Sequence, residues 1–104
     1  MPKIIRLTLF KIPEDAAVEE TIKIYSTLTR DALKDDKQYI SVAKAERTYK
    51  DDRNQGFTLV ARTVFNSVED MNYYDKDCEA HKKIKALVGP KVAGPPLVVY
   101  MDAE

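Results

Sequence analysis

The chain has one cysteine, one histidine, no tryptophan and three glycines in 104 residues. A lone Cys78 excludes an intramolecular disulfide, and together with His81 it falls short of the four nitrogen and sulfur ligands of a structural zinc site. Net charge is also missing, with 17 Lys+Arg balanced by 17 Asp+Glu, so nothing draws the chain generally toward nucleic acid or an anionic membrane. No apolar run approaches the ~20 residues that cross a bilayer. The N-terminus lacks the basic stretch, apolar core and small-residue cleavage site of a secretory signal. The expectation is a cytoplasmic protein with neither nucleic-acid nor membrane partners. Gly-rich phosphate loops, the G-x-S-x-G elbow, a D-x-D-x-D-G calcium loop and a basic stripe with interleaved aromatics are absent as well, which removes the strongest motif-based functions.

What is present fits one domain over residues 1–104, large enough to bury a hydrophobic core. KIIRLTLF (3–10) is β-branched and aliphatic and ends before Pro13, which cannot donate to a ladder. From Asp15, Val18, Ile22, Tyr25, Leu28 and Ala32 recur at helical spacing and predict one amphipathic helix of roughly five turns. A charged turn at 34–37 leads to a second strand from Tyr39 toward Tyr49. The 50–56 segment reads as a hairpin loop in which Asn54 and Gly56 can take positive φ. FTLVARTVF (57–65) is the third strand, and Ser67-Val68-Glu69-Asp70 is a capping-box pattern opening a helical region broken near 75–77. Gly89-Pro90 ends that region, and LVVYM (97–101) is the last strand.

The order β-α-β-β-α-β predicts an α+β, ferredoxin-like domain with helices on one face of an antiparallel sheet. The other face of such a sheet ordinarily reads polar. Here both phases carry apolar residues: Ile5, Leu7 and Leu9 against Ile4 and Phe10, and Leu97, Val99 and Met101 against Val98 and Tyr100. A second copy of the chain, packed sheet to sheet, is the natural cover.

Chemistry-bearing residues concentrate in Tyr73-Tyr74-Asp75-Lys76-Asp77-Cys78-Glu79-Ala80-His81, which holds the only His, the only Cys and two of six tyrosines. An imidazole titrates near neutrality, and a tyrosine hydroxyl beside it can share a proton. Two readings stay open for His81: a general base, or a boundary residue beside the apolar Ala80/Ile84/Val88 face. Cys78 reads as a small apolar filler or, less simply, as a thiolate near a helix N-terminus. Ile22, Tyr25 and Ala61 either line a pocket or belong to the core, and Tyr73 is placed with the substrate-binding candidates. Lys82, Lys83, Lys85 and Lys91 form a solvated helix face or an anion-attracting one.

IIRLTLFKIP, RNQGFTLVARTVF, FNSVEDMNYY, the Ala80-His81 pair and the closing LVVYMD, in this order and spacing, resemble the stress-responsive dimeric α/β-barrel (Dabb) family over essentially the whole chain. The resemblance implies a homodimeric α/β barrel. Within the family the chain is similar to the olivetolic acid cyclase-type polyketide cyclases, in which a His and a Tyr promote an aldol condensation without metal or organic cofactor. On that similarity His81 and Tyr74 take the catalytic positions, and Tyr25, Ile22 and Ala61 take positions lining a cavity for a small hydrophobic keto metabolite. Two departures stand out: the family's frequent first-strand histidine is absent, and its H-P-x-H is replaced by Asp77-Cys78-Glu79-Ala80-His81. The implied activity is a cofactor-independent lyase or cyclase; the alternatives are a non-catalytic ligand-binding or stress-response dimer, or a cofactor-free monooxygenase.

Overall fold

The computed structural model describes residues 3–103. Strand β1 (Ile4–Phe10) is followed by helix α1 (Asp15–Ser26) and a single-turn helix α2 (Leu28–Asp31). The single helix expected over 15–32 is therefore interrupted at Thr27, whose backbone sits at φ −114°, ψ 4°. The cause is local: the Ser26 hydroxyl donates to the Lys23 carbonyl, and the Thr27 hydroxyl gives its one proton to the Asp31 carboxylate at 2.8 Å. Two consecutive hydroxyls thus make local side-chain hydrogen bonds that offer the chain an alternative to continuing the helix. The apolar stripe survives the break, with Val18, Tyr25, Leu28 and Ala32 all buried and Ile22 half-buried.

The charged turn at 34–37 is a miniature hairpin of β2 (Leu33–Lys34) and β3 (Lys37–Gln38), with Asp35 at φ 52° and Asp36 at φ 64°. Paired left-handed residues match the twist of a two-residue hairpin. Lys34 Nζ ties this hairpin to Asp70 at 2.8 Å. Strand β4 (Ile40–Arg47) carries a bulge between Ile40 and Val42 before the next loop. In that loop the left-handed residues are Gln55 (φ 54°) and Gly56 (φ 91°) rather than Asn54 and Gly56. Asn54 lies in a short 3-10 turn, where its side-chain oxygen accepts from the Gly56 N–H at 2.8 Å.

Strand β5 (Leu59–Phe65) leads to Ser67, whose hydroxyl accepts from the Asp70 N–H at 3.1 Å and so caps α3 (Val68–Lys76). Only half of the expected capping box forms, because the Asp70 carboxylate is engaged by Lys34. The helix breaks where expected: the N–H groups of Asp77 and Cys78 both turn back to the Tyr73 carbonyl, and α4 (Glu79–Val88) begins afresh. A Pro-rich connector then reaches β6 (Leu97–Asp102).

The four long strands form one antiparallel sheet in the order β4-β5-β1-β6, the ferredoxin-like arrangement. Register assigns the faces. Ile4, Arg6, Thr8 and Phe10 lie opposite Phe65, Thr63, Ala61 and Leu59 on the helix-covered side. Ile5, Leu7 and Leu9, with Val60, Val64, Leu97, Val99 and Met101 across from them in the pairing, lie on the other side. The more uniformly apolar phase of β1 is therefore the one turned away from the helices, and the phase under the helices contains an arginine and a threonine.

Candidate active site

Helices α1, α3 and α4 cover β4, β5 and β1 but stop short of β6, which leaves Val98 41% and Tyr100 56% exposed on the helix side of the sheet. The space between α4 and the β1/β6 edge is a cavity of about 420 Å³. Its floor is Arg6, Thr8 and Phe10 of β1 with Val98 of β6. Its roof is His81, Ile84, Lys85 and Val88, one face of α4 at helical spacing. Asp75 and the connector residues Val92 and Pro96 close the ends.

His81 is buried and fixed in one tautomer. Nδ1 lies 2.9 Å from the Tyr74 main-chain carbonyl, which can only accept, so Nδ1 carries the proton and Nε2 holds a free lone pair. Burial pushes the imidazole pKa down to about 4, the Arg6 and Lys85 charges push the same way, and the Tyr74 carbonyl and Asp75 oppose them. The ring is accordingly neutral near neutral pH. Tyr74 stacks against it face to face, with ring centroids 3.8 Å apart and planes 11° from parallel. The Tyr74 ring packs in turn on Phe65 at 5.3 Å.

Arg6 is the second polar feature of the cavity. Its side chain is only 8% exposed, and its guanidinium meets Asp75, itself 37% exposed, at 2.8 Å. The guanidinium carbon also lies 5.3 Å from the centre of the Tyr74 ring. Asp75 is 4.0 Å from His81 Nδ1, beyond hydrogen-bond range, so its carboxylate is committed to Arg6.

The residues singled out from sequence divide into three groups. His81 lines the cavity. Tyr74 and Tyr25 stand behind it, both buried, with neighbouring hydroxyls and with pKa values raised chiefly by burial. The Tyr74 hydroxyl makes no hydrogen bond of acceptable geometry and is not on the cavity wall. Ala61, Ile22 and Tyr73 lie elsewhere. Ala61 is buried on β5 opposite Thr8, and Ile22 is half-buried on α1. Tyr73 points the opposite way from Tyr74: its hydroxyl donates to the Leu33 carbonyl at 3.1 Å and its ring meets Tyr39 edge-on at 5.3 Å. Adjacent helical residues diverge by about 100°, which separates the two tyrosines. Cys78 is buried beside Tyr39, away from the cavity.

Sequence reasoning missed Arg6 and Asp75. Arg6 had one signal, a charge in the middle of an otherwise apolar strand, and Asp75 read as part of the helix break and of the chemistry-bearing segment, with no role of its own. Chemically, the site combines a neutral imidazole with a free lone pair, a buried guanidinium and apolar walls. Among the described residues no cluster of three His, Cys, Asp or Glu has metal-binding geometry.

A Gibberella zeae protein, "Fusaristatin A biosynthesis cluster protein", is 31% identical over 84 residues, which are 81% of this chain. The chain spans only 61% of that relative's length. Among solved structures, hydroxynitrile lyase from Passiflora edulis superposes with a TM-score of 0.76 at 13% identity, covering 99% of this chain and 94% of the other. A dimeric ferredoxin-like protein from Thermobifida fusca gives 0.76 at 14% identity, covering 97% and 91%. An Arabidopsis thaliana protein gives 0.72 at 20% identity, covering 100% and 96%. These structural likenesses establish the fold. Residues 4–103 match the model of the stress responsive A/B barrel domain, and the chain belongs to that family.

Proposed function

We propose that the protein is a homodimeric, cofactor-independent lyase or cyclase that uses His81 to move a proton on a small hydrophobic keto metabolite. The observation carrying this reading is a neutral imidazole, fixed through Nδ1 by the Tyr74 carbonyl, on the wall of an apolar cavity large enough for a small molecule. In the proposed reaction Nε2 takes a proton from a carbon flanked by two carbonyls. The enolate carbon attacks a third, more distant carbonyl of the same molecule, one C–C bond forms as that C=O π bond opens, and the resulting alkoxide recovers the proton from the imidazolium. Desolvation of His81 favours returning that proton, which closes the cycle. The Gibberella relative's place in a biosynthetic cluster supports a role in small-molecule metabolism.

The homodimer part of the reading rests on the outer sheet face. Leaving Ile5, Leu7, Leu9, Leu97, Val99 and Met101 in water forgoes about 25 cal/mol for every Å² of apolar surface, and a second copy of the same sheet offers the matching cover. A non-catalytic ligand-binding dimer is the second reading. It is favoured by the position of the Tyr74 hydroxyl, which is off the cavity wall and so cannot serve a substrate there.

Proton exchange separates the two. With a 1,3-diketone or a β-polyketide thioester in D₂O, NMR is expected to show loss of the central CH₂ signal above the buffer rate. His81→Ala should lower that rate by ~10²-fold or more. Exchange at the buffer rate in the wild type, or undiminished exchange in His81→Ala, favours the binder.

A further inference from the structure

We propose that Arg6 makes this cavity a receptor for a planar oxyanion, either a carboxylate or an enolate, borne on a small apolar molecule. The inference deepens the reading above and rests on the cavity beside His81 being the substrate site. A guanidinium has five N–H donors in a planar fork. Arg6 directs one hydrogen bond to protein, to Asp75 Oδ1 at 2.8 Å, and makes no other among the described residues. A cation this deeply buried ordinarily has its donors satisfied, because desolvating unmatched ones is costly. Among the described residues the buried side-chain polar atoms sealed off without a partner are the Tyr39 and Tyr74 hydroxyls, and no Arg6 nitrogen is one of them. The unused donors therefore reach the cavity that Arg6 lines. The Tyr74 ring beneath the guanidinium and the Asp75 carboxylate at one edge hold its plane, which is the preorganisation that bidentate recognition of a carboxylate needs.

Position adds to this. Arg6 and His81 line the same cavity from β1 and α4, and the Asp75 carboxylate that holds Arg6 lies 4.0 Å from His81 Nδ1. An anion seated on Arg6 would lie beside the imidazole, and the apolar remainder of the molecule would run along Ile84 and Val98. Arg6 lines the same cavity as His81, so an enolate formed there is within its compass, whereas Tyr74 is not on the wall. Lys85 is the other cation on the wall, but it is exposed and its ammonium donates to the Asp75 carbonyl at 3.2 Å, so it marks the mouth.

Calorimetry with 4-pentylbenzoate and its neutral isostere 4-pentylbenzamide tests the proposal on the wild-type protein. The acid is expected to bind roughly tenfold to a hundredfold tighter than the amide, the range for a hydrogen bond to a charged group. Arg6→Gln should bring the acid-to-amide ratio near one, and Arg6→Lys should leave an intermediate ratio. Lys23→Gln, at an exposed α1 lysine away from the cavity, should preserve it. A parallel arm with a neutral 1,3-diketone reads the enolate absorption band: its growth on binding to wild type but not to Arg6→Gln identifies the enolate as the oxyanion. Equal affinity for acid and amide with no enolate band overturns the proposal, as does failure of the wild type to bind acid or diketone. An acid preference that survives in Arg6→Gln overturns it too. The ratio reports on Arg6 alone, so loss of proton exchange in the previous assay with an intact ratio would sink the base mechanism and leave the oxyanion receptor standing.

Discussion

Acidification is expected to destabilise the protein through one side chain, and the magnitude follows from the surroundings of His81. In the unfolded chain its imidazole takes a proton near its ordinary value of 6.5; in the folded state burial, reinforced by Arg6 and Lys85, holds it neutral down to about 4. Between these values the unfolded state binds the extra proton, so stability rises with pH through this window and is lost as pH falls through it. Above pH 6.5 both states are neutral and the term vanishes; below about 4 it is complete. The gap corresponds to about 3 kcal/mol at about 1.4 kcal/mol for each pH unit. Carboxylates such as Asp31 and Asp51, held below their usual range by the Thr27 hydroxyl and by Arg53, also titrate in acid, so the term is isolated by comparison with His81→Gln. Urea unfolding of both proteins at fixed protomer concentration should show the wild-type advantage shrinking by about 3 kcal/mol between pH 6.5 and about 4. Because the chain has a single histidine, one imidazole proton signal in NMR reports the folded-state midpoint directly. A midpoint at or above 6.5, or a stability difference flat across the window, would refute the burial argument and with it the resting neutral base.

Two further outcomes follow from the same geometry. Tyr74→Phe removes a buried hydroxyl that has no hydrogen-bond partner among the described residues, so its unfolding free energy should change by less than about 1 kcal/mol, and the His81 midpoint should stay put because the ring is fixed by a main-chain carbonyl; a large shift in the NMR titration would show that the hydroxyl matters. Leu7→Lys places a charge on the outer sheet face, paired with Arg62 on one side and Val99 on the other. Light scattering is expected to give about twice 11.9 kDa for the wild type and 11.9 kDa for the variant, and an unchanged mass on substitution would count against the sheet-to-sheet dimer.

Local chemistry made much of this molecule legible from its sequence. Pro13 after β1, Ser67 capping α3 and the change from alternating to helical spacing act within a few residues, so the β-α-β-β-α-β order and the break before α4 could be read without tertiary context. So could the segment carrying His81. The sequence does not announce the Thr27 break, because the apolar stripe of α1 and α2 continues straight through it while the cause lies in two hydroxyls making local hydrogen bonds. Which phase of β1 faces the helices depended on tertiary packing, because both phases are apolar enough to be buried and nothing local breaks the tie. Once the helices took the phase containing Arg6 and Thr8, the arginine became a buried cation beside a carboxylate 69 residues away in the chain. The two tyrosines of the Tyr73-Tyr74 pair were also assigned only by packing: helical geometry turned one toward Leu33 and Tyr39 and the other under His81. The pKa of His81 belongs to the tertiary structure for the same reason, since desolvation by α4 packing and the field of a distant strand residue set it, and neither is encoded in its neighbours along the chain.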